Sequence, residues 1–366
     1  MGKTRNHGYR KYFLNTLQRI LLASATGVLL AACSGGTNVP ATPASASGSS
    51  TPGSGNAAAG ATNTAGQPVV PVGAVGGVPV SLNLTARSSP PNAYRSPSNI
   101  YRLASSTDGT RLVAGEDFGQ LYTSSDSGIT WIPHDSAKDW KSVASSADGT
   151  KLVAVAYNDM IYTSSDSGVT WEARESAKPW QSVASSADGA RLVAVTLPGY
   201  IYTSGDYGAT WTPRDSVRQW YSVASSADGT RLVAAEYGGQ VYTSNDAGVT
   251  WTPRDVDRNW YAVSSSADGT HLVAVLDPGL IYTSADSGAT WTPRESYRVW
   301  LSVASSADGS RLTAVAYDDQ IYASADFGVT WTPSDSDQQW LAVTSSADGS
   351  RLVATTQDSQ IYSSIP

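Results

Sequence analysis

The sequence predicts an all-β fold, a seven-bladed β-propeller of four-stranded antiparallel blades preceded by a signal peptide and a linker, and three observations carry that prediction. All twelve tryptophans fall on two rulers of 40 residues: Trp131, Trp171, Trp211, Trp251, Trp291 and Trp331, and Trp140, Trp180, Trp220, Trp260, Trp300 and Trp340. An Asp-Gly turn recurs on the same spacing at Asp108, Asp148, Asp188, Asp228, Asp268, Asp308 and Asp348, which makes seven copies of one unit. Each unit holds short β-prone runs separated by tight turns, and no segment keeps helical spacing over three turns. Four short strands repeated around an axis bury both faces of each sheet against their neighbours and leave only short edges.

The elements before the repeats read in order as an export signal and a tether. Residues 1–32 carry Lys3, Arg5, Arg10, Lys11 and Arg19 with no acid, then an apolar run, Ile20 to Leu30, that ends in small residues. That run falls short of the about 20 residues a helix needs to cross a bilayer. The following Leu30-Ala31-Ala32-Cys33-Ser34-Gly35 resembles the lipobox of bacterial lipoproteins. The resemblance implies lipidation of Cys33, the chain's single cysteine, as the mature N-terminus, and serine after it implies the outer membrane. Multiple acyl chains hold a protein stably where one binds only marginally. Loss of 1–32 leaves 19 basic against 31 acidic residues, a net charge of −12, which argues against a nucleic-acid partner. Residues 33–80 are rich in Ala, Gly, Ser, Thr and Pro, with no charge or aromatic group, and read as a disordered linker with a reach of roughly 40 Å.

Residues 81–366 form the repeat domain. In the second copy, Val143 to Ser145, Leu152 to Tyr157 and Ile161 to Ser164 are β-prone, separated by Ala147-Asp148-Gly149 and Asn158-Asp159, and Val169 to Trp171 starts a fourth strand. The last copy stops after its third strand. Leu84 to Ser89 matches the fourth-strand pattern Trp171 to Ser176, so the N-terminal strand is expected to complete the last blade.

Between third and fourth strands lies Ser164-Ser165-Asp166-Ser167-Gly168-Val169-Thr170-Trp171, with counterparts around Asp126, Asp206, Asp246, Asp286 and Asp326. The aspartate is suited to accept backbone N–H bonds within its turn, glycine to supply positive φ, and tryptophan to cover the hairpin. One carboxylate per turn is no calcium cage, so these are structural aspartates and no metal or cofactor is expected. The motif resembles the BNR or Asp-box repeat of sialidases, other glycan-cleaving enzymes, sortilin-type receptors and photosystem II stability/assembly factors. The resemblance covers 82–366 and implies a propeller, not a reaction.

In such a blade the near-identical Asp-Gly turns and Asp boxes share one rim, while the second-to-third turns and inter-blade loops share the other. The second-to-third turns differ in every copy, so the candidate binding rim is drawn from them: Glu116, Asp117, Asp159, Tyr200, Tyr237, Asp277, Asp318, Asp319 and Gln357. The inter-blade loops pair Arg174 with Glu175, Arg214 with Asp215, Arg254 with Asp255 and Arg294 with Glu295, and a further base follows at Lys178, Arg218, Arg258 and Arg298. This alternation reads as a self-neutralising surface. The tryptophans Trp140 to Trp340 read as inter-blade packing, although rings near a channel also suit sugar stacking.

Catalysis needs a constellation that near-identical blades do not supply, and no catalytic residue is assigned. After residue 32 the only histidines are His134 and His271, and His271 stands where other copies have Arg or Lys. The arginine motif of sialidases is missing. The expectation is a monomeric, lipid-anchored envelope module that binds a protein, less readily a glycan. A glycan hydrolase with Glu116 and Asp319 as its acid pair, and a structural lipoprotein without a ligand, are the alternatives.

Overall fold

The computed structural model describes residues 84–87, 100–333 and 337–364, all within the unit Gly76–Pro366. The expected signal peptide, Cys33 and the expected linker lie outside these residues. Among those described there is no helix; the chain forms short antiparallel strands, as the turn spacing predicts.

Leu152–Asp159 shows why the units fold as they do. Alternate residues of a strand face opposite sides, and here five consecutive residues, Leu152 to Ala156, are all buried, because a neighbouring sheet covers each side. One such interface gathers Val113 and Leu121 of the first copy with Trp140, Val143, Ala154 and Tyr162 of the second. The tryptophan is fully buried and meets Tyr162 edge-on at 5.4 Å. The same edge-on pair recurs at Trp180 and Tyr202, Trp220 and Tyr242, Trp260 and Tyr282, Trp300 and Tyr322, and Trp340 and Tyr362. Trp140 to Trp340 therefore pack copies together, and their rings are not open to a sugar.

The strand order closes on itself. Thr85–Arg87 pairs antiparallel with Ile361–Ser363, setting Thr85 opposite Ser363 and Arg87 opposite Ile361. The N-terminal strand thus supplies the fourth strand that the last copy lacks, and the Arg87 guanidinium donates to Ser363 at 2.6 Å. A second closure runs through the Asp-Gly turns. The Thr107 N–H donates to the Ala147 carbonyl, Ala147 to Ala187, then onward through Ala227, Ala267, Ala307 and Ala347, whose N–H returns to Thr107. These seven bonds span 2.6–2.8 Å and leave no copy unpaired in the circle. First strands of successive copies also touch in a closed circle, so they surround the axis.

Each first strand carries a register shift just after its leading residue, as between Trp140 and Ser142 or Trp220 and Ser222. Such a bulge re-aims the extra residue. It singles out Lys141, Gln181, Tyr221, Tyr261, Leu301 and Leu341, a non-repeating series that turn spacing alone does not reveal.

Candidate functional site: two unlike rims

The Asp-Gly turns and Asp boxes are bonded to each other, which puts them on one rim: Ser167 N–H donates to the Thr150 carbonyl at 2.8 Å, with equivalents in other copies. In the box around Asp126, the carboxylate accepts from Ser124 Oγ at 2.8 Å, Thr130 N–H at 2.8 Å and Thr130 Oγ1 at 2.5 Å. Asp166, Asp206, Asp246, Asp286 and Asp326 repeat this set. The Thr170 hydroxyl, Thr170 N–H and Ser164 pull the Asp166 carboxyl down to about 2. In the adjoining turn, Ser146 leads the groups that bring Asp148 to about 2. These carboxylates accept their hydrogen bonds from within their own turns.

On the opposite rim the second-to-third turns meet the inter-blade segments. Gly119 faces Lys138, Asp159 faces Lys178, Gly199 faces Arg218 and Gly239 faces Arg258. The acids of this rim are more occupied than their sequence suggests. Glu116 is 3 % exposed and accepts from the Tyr122 hydroxyl at 3.0 Å and the Gln120 N–H at 3.3 Å. Burial and that carboxylate push the Tyr122 hydroxyl well above the usual phenol range. Asp159 accepts from Tyr162 at 3.1 Å and faces Lys138 at 3.6 Å, while Asp319 accepts from Tyr322 at 3.1 Å and Arg298 at 3.1 Å. A glutamate at the end of the second strand and an aspartate three residues later reach the same tyrosine. Different turn sequences thus perform one structural task.

The charged loops also pair differently from their sequence order. Glu175 lies beyond the two-residue strand Glu172–Ala173, and Arg174 pairs with Glu172 at 2.5 Å rather than with Glu175. Glu175 pairs with Lys178 at 2.5 Å, Asp215 with Arg218 at 3.4 Å, Asp255 with Arg258 at 3.2 Å and Glu295 with Arg298 at 3.3 Å. The first arginines turn away, and Arg174, Arg214, Arg254 and Arg294 donate to Thr163, Thr203, Thr243 and Thr283 at 2.9–3.0 Å. His134 takes the same place beside Thr123 at 2.7 Å, and burial lowers its pKa. The second bases lie over aromatic rings, as Arg298 does over Tyr322 at 4.3 Å.

What this rim offers outward is therefore a shorter set. Tyr200 is 41 % exposed, Phe118 60 % and Met160 38 %, one in each of the first three turns; Phe118 and Met160 were not among the sequence candidates. Asp318 is exposed and accepts from Gln339 at 2.9 Å. Tyr237 stacks on Tyr221 at 5.5 Å, and Tyr221 on Tyr261 at 4.7 Å. Asp277 is buried, and Gln357 accepts from the Tyr317 hydroxyl.

One charged cluster at this rim has no counterpart in other copies. Asp117, 2 % exposed, pairs with Lys141 at 3.0 Å, and Lys141 with Asp139 at 2.6 Å. Burial, then the hydrogen bond with Asp117, raise Asp139 from 3.8 to about 6. The two carboxyls share the Lys141 ammonium. Among the described residues no group of three or more His, Cys, Asp or Glu side chains is placed to hold a metal ion.

No protein-family model matches the chain, and no curated protein matches it in sequence. Solved structures do match. YCF48 from Cyanidioschyzon merolae superposes with a TM-score of 0.61 at 16 % identity, covering 76 % of this chain and 98 % of that one. YCF48 bound to a D1 peptide gives 0.60 at 14 % identity, covering 77 % and 97 %. The β-propeller domain of Cps50 (Swd1) from Myceliophteria thermophila gives 0.61 at 13 % identity, covering 77 % and 100 %. At these identities the likeness speaks to fold alone, and with the antiparallel sheets and the closed strand order it makes the repeat region a β-propeller.

Proposed function

We propose that this chain is a lipid-anchored cell-envelope module of the outer membrane: a seven-bladed Asp-box propeller, tethered through Cys33 and residues 33–80, that binds a protein partner on its variable rim and does not act as an enzyme. The observation that carries this reading is the division between the rims. One is knit by the same bonds copy after copy, while the other exposes Phe118, Met160 and Tyr200 from turns that differ in sequence. Rigid scaffolds with variable loops are the usual platform for recognition. Exposed aromatic and methionine side chains are the residue types that anchor protein interfaces. YCF48 bound to a D1 peptide is an instance of a propeller of similar fold engaging a protein segment. Glu116 and Asp319, weighed as hydrolase acids, each accept from a tyrosine of their own hairpin, which favours binding over hydrolysis.

The test is capture from detergent-solubilised envelope with the full-length chain as bait, beside Phe118→Ser/Tyr200→Ala. A protein retained by the wild type and lost with the variant, at equal melting temperature, is the expected result. Equal capture by both, or release of reducing sugar from envelope glycans by the wild type, contradicts the proposal.

A further inference from the structure

The Asp-box rim carries a departure from its own repetition. The residue before the box glycine has positive φ in each of the six boxes, among them 62° at Ser127 and Ser167, 57° at Ala247 and 56° at Ser287. In the third and sixth copies this position is aromatic, Tyr207 and Phe327, both at 60°. A bulky side chain is disfavoured in that region, and such outliers gather at functional sites. Neither ring offsets the strain by joining the core, since Tyr207 is 48 % and Phe327 44 % exposed.

Cavities at equivalent places permit an internal comparison. Between successive copies, a groove opens under the strand-two base, the third-strand hydroxyls and the fourth-strand Arg or His. It measures about 180 Å³ where Ser167 closes it and about 160 Å³ where Ala247 does, but about 340 Å³ where Tyr207 does. Where Ser167 closes the groove, the strand-two base bonds to that serine, Arg111 to Ser167 at 2.6 Å. Beside Tyr207 the base, Lys151, donates to the Asp188 carbonyl at 3.0 Å, as Arg191 does to Asp228 beside Ala247, and its Nζ lies 4.4 Å from the ring centroid. The enlarged groove is also lined by Ser165, Thr170, Glu172 and Arg174, with Arg174 held to Glu172 at 2.5 Å.

We infer that the groove between the second and third copies is a saccharide-binding site on the Asp-box rim, with Tyr207 as its stacking platform. A pyranose presents a C–H face to an aromatic ring and a rim of hydroxyls that both donate and accept. The wall answers with both functions: Ser165 and Thr170 hydroxyls, the Glu172 carboxylate, and the Lys151 and Arg174 donors. The Glu172–Arg174 pair offsets one charge of each sign at the wall, which fits a neutral sugar better than a strongly anionic one. The site lies on the rim opposite Tyr200 and Phe118, so it stands or falls independently of the protein-binding rim.

Titration calorimetry of the full-length protein with chitohexaose, cellohexaose and maltohexaose tests this. Tyr207→Ser is made together with Phe327→Ser so that the other exposed ring of the series does not substitute, and Tyr207→Phe is the conservative variant. At least one hexaose binds the wild type and Tyr207→Phe, and its affinity for the double serine variant falls about tenfold or more. The serine variant melts no lower than the wild type, because serine is the residue other copies use at this φ. No binding of any of the three at about 10 mM overturns the site. So does undiminished binding by the serine variant. A fall of several degrees in its melting temperature would mark the rings as structural and overturn it equally.

Discussion

The two rims of this propeller solve the same problem by different means. On the Asp-box rim, each copy fixes its turns with the same serine, aspartate and glycine, and the bonds repeat at nearly constant length. On the variable rim, Glu116, Asp159 and Asp319 reach a third-strand tyrosine from two different positions, within turns of unrelated sequence. Variation in sequence is therefore not in itself evidence of a ligand. Much of it is alternative carpentry, and only what remains exposed after that bonding is available for recognition.

Both rims depend on the closed ring, so the largest expected effect is on both together. Deleting 81–88 removes the strand that pairs with Ile361–Ser363 and is expected to lower the melting temperature far more than deleting 34–80. Equal melting temperatures would break the closure account.

A smaller effect separates structural from available acids within the variable rim. Tyr122→Phe leaves the buried Glu116 short of a donor and is expected to cost about 1–3 kcal/mol in urea denaturation. Tyr162→Phe, opposite the half-buried Asp159, is expected to cost less. If the order reverses, burial is not what separates these two acids.

The unique Asp117–Asp139–Lys141 cluster gives the comparison a pH signature. Asp139 holds its proton up to about 6 in the folded protein, while an unfolded aspartate releases it near 3.8. Its contribution is therefore full below the unfolded value and is lost as pH rises through about 6. Asp139→Asn is expected to flatten melting temperature against pH between those values, whereas Asp148→Asn acts in the window from 3.8 down to about 2, where stability is lost as pH falls. Coincident profiles for the two variants would remove the distinction. The smallest effect belongs to Tyr200→Ala with Asp318→Asn, which keeps a side chain suited to the positive φ at 318, expected to change stability by about 0.5 kcal/mol or less.

The periodic part of this architecture was legible because Trp, Asp and Gly are placed at fixed spacing for geometric reasons: positive φ at Gly168, an N–H acceptor at Asp166, a large ring at Trp180. The strand Thr85–Arg87 was legible as well, since its pattern is that of the fourth strand absent from the last copy. The rim site was only partly legible. Exposure depends on which acid finds a tyrosine in three dimensions, and the sequence places Glu116 and Asp318 in the same class although one is buried and the other exposed. The bulges that re-aim Lys141 and Tyr221 leave no mark in the spacing. Tyr207 stands where four other boxes have Ser or Ala, and only its φ and the enlarged groove give that difference a meaning.

The measurement that tests the proposed division of labour most directly is hydrogen–deuterium exchange of the full-length protein with and without a partner recovered in the capture experiment. Protection confined to the turns around residues 116–119, 157–160 and 197–200, with the Asp boxes unchanged, is the predicted result. Protection centred on the Asp boxes, with those turns unchanged, would contradict it.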